Sequence, residues 1–496
     1  MARIIATIAL LLICFTVLLA GYLYAKPLVT STFDDAVADS MANFSKTSLG
    51  QKLVKHYSIQ LQFMKFVKIG PYQNLTPSQP KMMNFALAGY IFAALIAVSV
   101  SLICLVLFIL NSIKKEMPST SKIVLTIILL LIILNGTIIR LMLASTCFGN
   151  HDMQCWEVIA DIAAKDGNVY NETHKYVYTP VFFEVLRVIK NIQLNFPSLT
   201  LHFLIKTFLS IIDLMTLGVL LLIAKNQKIS PIKTALFFYL NPVSFLITGY
   251  HGQFENMAVL LIVIGIFAYI KLKKFPLLAN LALWLFSTVG MIVKHNVLYE
   301  VLICLNHSIK RRWIIILLFT LSVGLFLATF LPYWADSKEN IINDVFKHSS
   351  GNAPGRYSSD YGINSLIQLP FLKYIFVLGM LTFPFLIKKK ELMTQCILGF
   401  LFFLVFTTGI AVQYFVLPIA LGALRPSKGF LIYSIAASLF ILGCFYNVYS
   451  LYFDAFKWNF VWFGAIYWFY SELKSDNNVK PSLLEIKEQT PMPQTQ

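Results

Sequence analysis

Long apolar runs separated by short basic loops cover most of this chain. They fall at 3–25, 84–111, 123–146, 201–224, 233–250, 256–270, 276–294, 295–309, 313–333, 363–387, 392–409, 411–424, 430–450 and 456–472. A helix needs about 20 apolar residues to cross a bilayer, so the pattern predicts about fourteen spans, some of them short. The fold class expected is all-α: a polytopic transmembrane helix bundle with amphipathic helices on its outer, periplasmic or lumenal, side. Residues 1–111 read as an N-terminal anchor hairpin carrying an exoplasmic segment at 26–82. Residues 112–475 read as one transmembrane module, and 476–496 as a cytoplasmic polar tail.

Composition agrees. Hydrophobic residues make up 58% of the 496 and charged residues only 13%, against roughly 45–50% and 25% in soluble domains. Mean hydropathy is +0.72. The net charge of +17 belongs to topology, because the basic residues sit in short loops between spans. No basic, aromatic-interleaved soluble domain exists to bind nucleic acid.

The basic clusters are Lys114/Lys115/Lys122, Lys225/Lys228/Lys233, Lys271/Lys273/Lys274, Lys310/Arg311/Arg312, Lys388/Lys389/Lys390 and Arg425/Lys428. Threading the spans places every cluster on one side, which is the cytoplasm by the positive-inside rule. Longer loops at 26–82, 147–200 and 334–362 then lie outside.

Polar residues with chemical capacity gather on that outer side. The run Leu240 to Leu260, LNPVSFLITGYHGQFENMAVLL, breaks at Gly249 and presents His251, Gln253, Glu255 and Asn256 before re-entering apolar sequence. Such groups at a membrane boundary need each other, water or a ligand. On one continuous helix, His251 and Glu255 would share a face by their i, i+4 spacing. The loop TCFGNHDMQCWEVIADIAAKDG places Asp152 just before a predicted surface helix over 153–164. Its apolar face is Trp156, Ile159, Ala160 and Ala163, laid along the membrane. Asp152 there either caps the helix or does chemistry. Cys147 and Cys155 bracket this stretch, as a disulfide or as two thiols. Lys294 and His295 end one span, Arg140 another, and Gln413 and Tyr414 lie at a third outer turn. Each cation either snorkels to the headgroups or binds a phosphate. Asp213, deeper in its span, reads as an interhelix polar contact. The segment 334–362 is polar enough to be a lid.

The order of these features resembles the GT-C superfamily of membrane glycosyltransferases. NPVSFLITGYHGQFENMAVLL is similar to the HGQFD-type hairpins of that superfamily, YVYTPVFF to its DYPP-type turn, and KHNVLYE to a K-x-Q-A-L-type segment of bacterial members. Val177 stands where the DYPP-type turn has Asp, and the hairpin ends on Glu255, which fits a bacterial member best. The likeness spans roughly 120 to 425. It implies a GT-C-like catalytic module that passes a sugar from a polyprenyl-phosphate donor to a lipid-linked glycan or protein acceptor, with inversion. It implies Asp152 as base. Lys294, His295 and Arg140 would meet phosphate, while His251, Gln253, Glu255, Gln413 and Tyr414 line the substrate site. No organic cofactor is implied. A divalent metal would draw on Asp152 and Glu255. The expected location is the bacterial inner membrane, or else the endoplasmic reticulum. Rival readings are a secondary transporter, which calls for an internal repeat of spans, and a flippase or ligase subunit for a lipid-linked glycan.

Overall fold

Proline and capping residues cut the apolar sequence into helices. The computed structural model describes residues 121–146, 149, 151–347, 362, 371–407, 409–446 and 454–475. The anchor hairpin, the 26–82 segment, the polar tail and Cys147 lie outside these described residues. Within them every regular element is helical.

Helix α1 (Ser121–Thr146) precedes the helices α2 (His151–Ala164), α3 (Val169–Glu172) and α4 (Pro180–Asn195). Next come α5 (Leu201–Asn226), α6 (Pro231–Tyr239) and α7 (Pro242–Phe245). Helix α7 runs into a π turn, Leu246–His251, and α8 spans Glu255–Lys271. Helices α9 (Pro276–Val293), α10 (Leu298–Ser308), α11 (Arg312–Ala328) and α12 (Leu331–Asn340) follow. Then come α13 (Leu372–Leu386), α14 (Leu392–Phe406), a 3-10 turn at Val412–Val416 and α15 (Ile419–Gly422). Helices α16 (Lys428–Tyr446) and α17 (Asp454–Lys474) close the described chain.

Local rules explain several boundaries. Proline opens α4, α6, α7 and α9, where its missing N–H costs nothing. Asn241 caps α7 by accepting from the Val243 N–H at 3.0 Å. This Asn-Pro pair splits the 233–250 run into two helices bent by 46°.

Three helices, at Leu125–Ser145, Leu201–Asn226 and Pro276–Val293, are long and apolar enough to cross a membrane. Two bent pairs raise the number to five. The expected fourteen is not reached by length. Helix α10 has 11 residues and α14 has 15, which at 1.5 Å per residue fall short of a ~30 Å hydrocarbon core. The outward faces are nonetheless apolar. Leu277 is 81% exposed, and Leu281, Leu285, Ile316, Leu378 and Leu386 are exposed beside it or on neighbouring helices. In water such faces would be a liability; against lipid tails they are the expected surface. The described residues form an all-helical membrane protein.

The basic turns at 388–390 and 425 meet each other and the C-terminal ends of α10 and α17. Lys390 Nζ donates to the Leu473 and Ser475 carbonyls, both at 2.7 Å. Arg425 pairs with Glu391, and Gln395 joins His307 to the Lys388 carbonyl.

Two sequence expectations change here. The apolar face of α2 does not lie on the membrane. Trp156, Ile159, Ala160 and Ala163 are buried in the protein core, where Trp156 packs edge-on to Phe182 and Phe254 at 5.2 and 5.8 Å. Helical periodicity fixes which face is apolar, not what covers it. The segment 334–362 is also no plain loop. Its first part is helical through α12 and a π turn at Ile341–Phe346, tied to α3 by Asn340 Nδ2 donating to the Tyr170 carbonyl at 3.0 Å. Residues 348–361 lie outside the described set.

Candidate functional site

The site is built around the hairpin between α7 and α8. The π turn ends at His251, and Gly252 follows in a left-handed conformation, φ 70°. Only glycine adopts this readily, and a Cβ there would lie 2.1 Å from Met153 Cε. The chain therefore turns at Gly252, not at Gly249. Gly249 instead permits close approach, since a Cβ on it would sit 3.3 Å from Arg140 Cα. The turn also separates His251 from Glu255. They occupy different elements, so the expected shared helical face does not form.

This geometry gathers residues from five segments. Asp152 sits in the first turn of α2, and Gln253 Nε2 donates to its Oδ2 at 2.6 Å. The carboxylate thus has a partner across the chain, beyond any capping role. Glu255 opens α8, and Lys294 caps the C-terminus of α9. Their ion pair closes at 2.7 Å, with the lysine side chain 1% exposed and the glutamate 0%. Lys294 Nζ also lies 3.9 Å from the Tyr178 ring centre and 4.0 Å from that of Phe254. Snorkelling would leave the ammonium in water; here it is enclosed by two aromatic faces and one carboxylate. His295 follows, its ring 6.2 Å from that of Tyr178. Gln413 and Tyr414 lie on the 3-10 turn that packs on α8 and on the π turn. The Tyr414 hydroxyl is within electrostatic reach of Lys294, Glu255 and Asp152.

Some polar atoms here have capacity left. Gln253 Oε1 and Glu255 Oε2 are buried with no hydrogen-bond partner among the described residues. Buried acceptors of this kind cost about 1–3 kcal/mol each unless a donor arrives.

Arg140 is not brought into this group. Its guanidinium makes four internal hydrogen bonds, to Asp213, Ser244 and the carbonyls of Gly136 and Tyr239. It stacks 4.1 Å from the Tyr239 ring centre. Both Arg140 and Asp213 are 0% exposed, at 2.9 Å. Asp213 is the interhelix contact expected of it, and Arg140 is its partner, so the structure places Arg140 in this network rather than beside Asp152.

The metal expectation also meets a structural obstacle. Among the described residues no group of three or more His, Cys, Asp and Glu side chains comes together to hold an ion. Asp152 is held by an amide and Glu255 by an ammonium.

Lys206 lies inside an apolar run, where a lysine is itself a signal. It is fully buried on α5. It packs against Gly149 and Gly252, since a Cβ at Gly149 would lie 3.4 Å from its Nζ and one at Gly252 3.5 Å from its Cε. Tyr178, within the YVYTPVFF turn, forms one wall of the lysine cage. Cys155 is buried in α2, and burial pushes its thiol up to about 11, reinforced by the Asp152 charge. A thiol at that value is a poor nucleophile at neutral pH.

No family model matches this chain, and no curated protein matches it in sequence.

Proposed function

We propose that this chain is a GT-C-like membrane glycosyltransferase of about fourteen spans. It takes one sugar from a polyprenyl-phosphate donor on the outer face and passes it to a hydroxyl of a lipid-linked glycan or protein, inverting the anomeric carbon. The bacterial inner membrane is its place in this reading.

The observation that carries the proposal is the Asp152 carboxylate oriented by Gln253, with the enclosed Lys294–Glu255 pair on the other arm of the same hairpin and Tyr414 within electrostatic reach of all three charges. A glycosyl phosphate already holds its leaving group. It needs a base for the incoming hydroxyl and positive charge for the departing phosphate. The acceptor oxygen bonds to the anomeric carbon as the bond to the phosphate oxygen breaks. The hydroxyl proton passes to Asp152, and the phosphate leaves with the electron pair beside Lys294 and His295. Gln253 holds the Asp152 carboxylate in place. Gln253 Oε1 and Glu255 Oε2 are the acceptors that sugar hydroxyls would satisfy, with His251, Gln413 and Tyr414 completing the wall. No step needs a metal in this scheme.

The test incubates purified protein with a panel of polyprenyl-phosphate sugars and follows donor consumption. Lys294→Met is expected to raise donor KM and lower kcat/KM by about 10²-fold. It also strands Glu255, so Lys294→Met with Glu255→Gln serves as companion. That pair should recover stability but not activity. Full activity in either variant would remove phosphate binding from Lys294.

Topology gives a separate prediction. In a background without native cysteines, Lys165→Cys should react with an impermeant thiol reagent from outside, and Lys273→Cys should not. Both positions are exposed, so shielding of one reports its side. Labelling of position 273 from outside would turn the site to the cytoplasm and defeat the donor assignment.

A further inference from the structure

A polar seam runs through the apolar interior between α10 and α14. Glu300, Cys304 and His307 fall at i, i+4 and i+7 on α10 and so share one face. The structure turns that face to α14. A Cβ on Gly399 would lie 2.5 Å from Glu300 Oε1 and 3.3 Å from Tyr299 Cδ2, so glycine there leaves the room the carboxyl takes. The Cys304 and Cys396 thiols are within hydrogen-bond contact, and Gln395 Nε2 lies 2.8 Å from His307 Nδ1. Glu300, Cys304, Cys396 and Gln395 are fully buried, and Tyr299 nearly so.

Packing alone gives no reason for a carboxyl at Glu300. Among the described residues no cation faces it, and neither of its oxygens makes a hydrogen bond to nitrogen or oxygen. Its titratable neighbours are Cys304, Cys396 and Tyr299, and the Tyr299 hydroxyl also has no hydrogen-bond partner among those residues. Asp213 shows the contrast, since Arg140, Ser244 and Asn256 all tie it down. A buried carboxyl without a cation is costly unless it takes up a proton. Carboxyls of this kind inside a membrane are the carriers of proton relays. Glu300 and the two thiols do not come together to hold a metal ion, so the species this seam suits is the proton.

The seam connects the two ends of α10. At one end His307 and Gln395 meet the basic turn, where Gln395 Nε2 also donates to the Lys388 carbonyl at 3.1 Å. At the other end Asn296 stands one turn before Glu300, and both polar atoms of its amide are buried without a hydrogen-bond partner among the described residues. Asn296 adjoins His295 of the candidate site. Tyr299 stacks on Phe403 at 5.8 Å, and Phe403 packs edge-on to Tyr414 of that site at 5.4 Å. The rise from Asn296 to His307 is about 16 Å at 1.5 Å per residue. Phenol, carboxyl, thiol and imidazole along it can each donate and accept.

We propose that this seam is a proton path, with Glu300 as its carrier, between the basic-turn end of α10 and the candidate site. Glu300 takes a proton from one end and releases it to the other. The path does not rest on the transferase reading. The test places full-length protein in liposomes that enclose a pH-sensitive dye, and imposes a potassium diffusion potential with valinomycin. Wild type should move protons at least about fivefold faster than protein-free vesicles. Glu300→Gln keeps the shape of the side chain but carries no proton, and should fall to the protein-free rate. Glu300→Asp restores a carboxyl and should keep about a third or more of the flux. Tyr299→Phe keeps the ring on Phe403 and removes one hydroxyl, and should slow the flux about threefold. It carries the test alone should Glu300→Gln not fold. Wild-type flux equal to that of protein-free vesicles overturns the proposal. So does flux equal to wild type in Glu300→Gln or in Tyr299→Phe, because the protons would then pass without the seam.

Discussion

Asp152→Asn is expected to lower turnover by about 10²–10⁴-fold while donor binding survives. The substitution is unusually clean at this position. Asparagine keeps the shape of the side chain and an oxygen that accepts from Gln253 Nε2, now at 2.6 Å from Asp152 Oδ2. What it loses is the ability to take a proton at neutral pH. Position and basicity therefore separate. Gln253→Ala gives the complementary loss, because the carboxylate stays but its orientation goes; its effect should be smaller and should fall on kcat. The check is donor consumption at saturating donor, with binding followed independently by protection against thermal unfolding. An Asp152→Asn protein that turns over within a factor of a few of wild type would remove the base. The transporter and subunit readings would then gain, since neither needs a proton acceptor there.

Legibility in the sequence followed the range of the forces involved. Apolar runs are local, so the helices at Leu201–Asn226 and Pro276–Val293 stand close to the predicted 201–224 and 276–294. The polar hairpin was visible because His251, Gln253, Glu255 and Asn256 crowd six positions where membrane-edge turns usually carry little chemistry. Side-chain direction was not visible. The backbone leaves α7 through a π turn and reverses at Gly252, and no periodicity encodes that. It sends Gln253 to Asp152, Glu255 to Lys294, and Asn256 into a different network. Lys294 and Arg140 looked alike as single cations at span ends. What separates them is the partner across the bundle, a glutamate 39 positions away for one and an aspartate 73 positions away for the other. Pairing over such distances is a property of packing, and one sequence contains no direct trace of it.

The second large effect concerns the network that claims Arg140. Asp213 accepts from Arg140 Nε at 2.9 Å, from Ser244 Oγ at 3.3 Å and from Asn256 Nδ2 at 2.5 Å, and Asn256 Nδ2 also reaches Thr248 Oγ1 at 3.0 Å. These residues come from α1, α5, α7, the π turn and α8, so one buried charge pair ties together both arms of the hairpin. Arg140→Ala leaves a carboxylate in a site with no exposure, and Asp213→Ala leaves a guanidinium. Removing one member of a buried pair typically costs about 3–5 kcal/mol, whereas replacing both with apolar residues of similar volume is often nearly neutral. Each single variant is therefore expected to lose most of its folded, monodisperse protein after extraction. Arg140→Met with Asp213→Leu should recover much of the loss. Thermal unfolding of the four proteins in nanodiscs measures the coupling directly. The recovered double variant then tests the site assignment as well. If Arg140 serves structure alone, the folded double variant should retain donor binding, weakened only as far as Asn256 and Ser244 relax. If Arg140 contacts the lipid phosphate after all, that protein will be stable and unable to bind donor. Single variants as stable as wild type would show that the pair does not hold the hairpin, and the position of Gln253 beside Asp152 would need another cause.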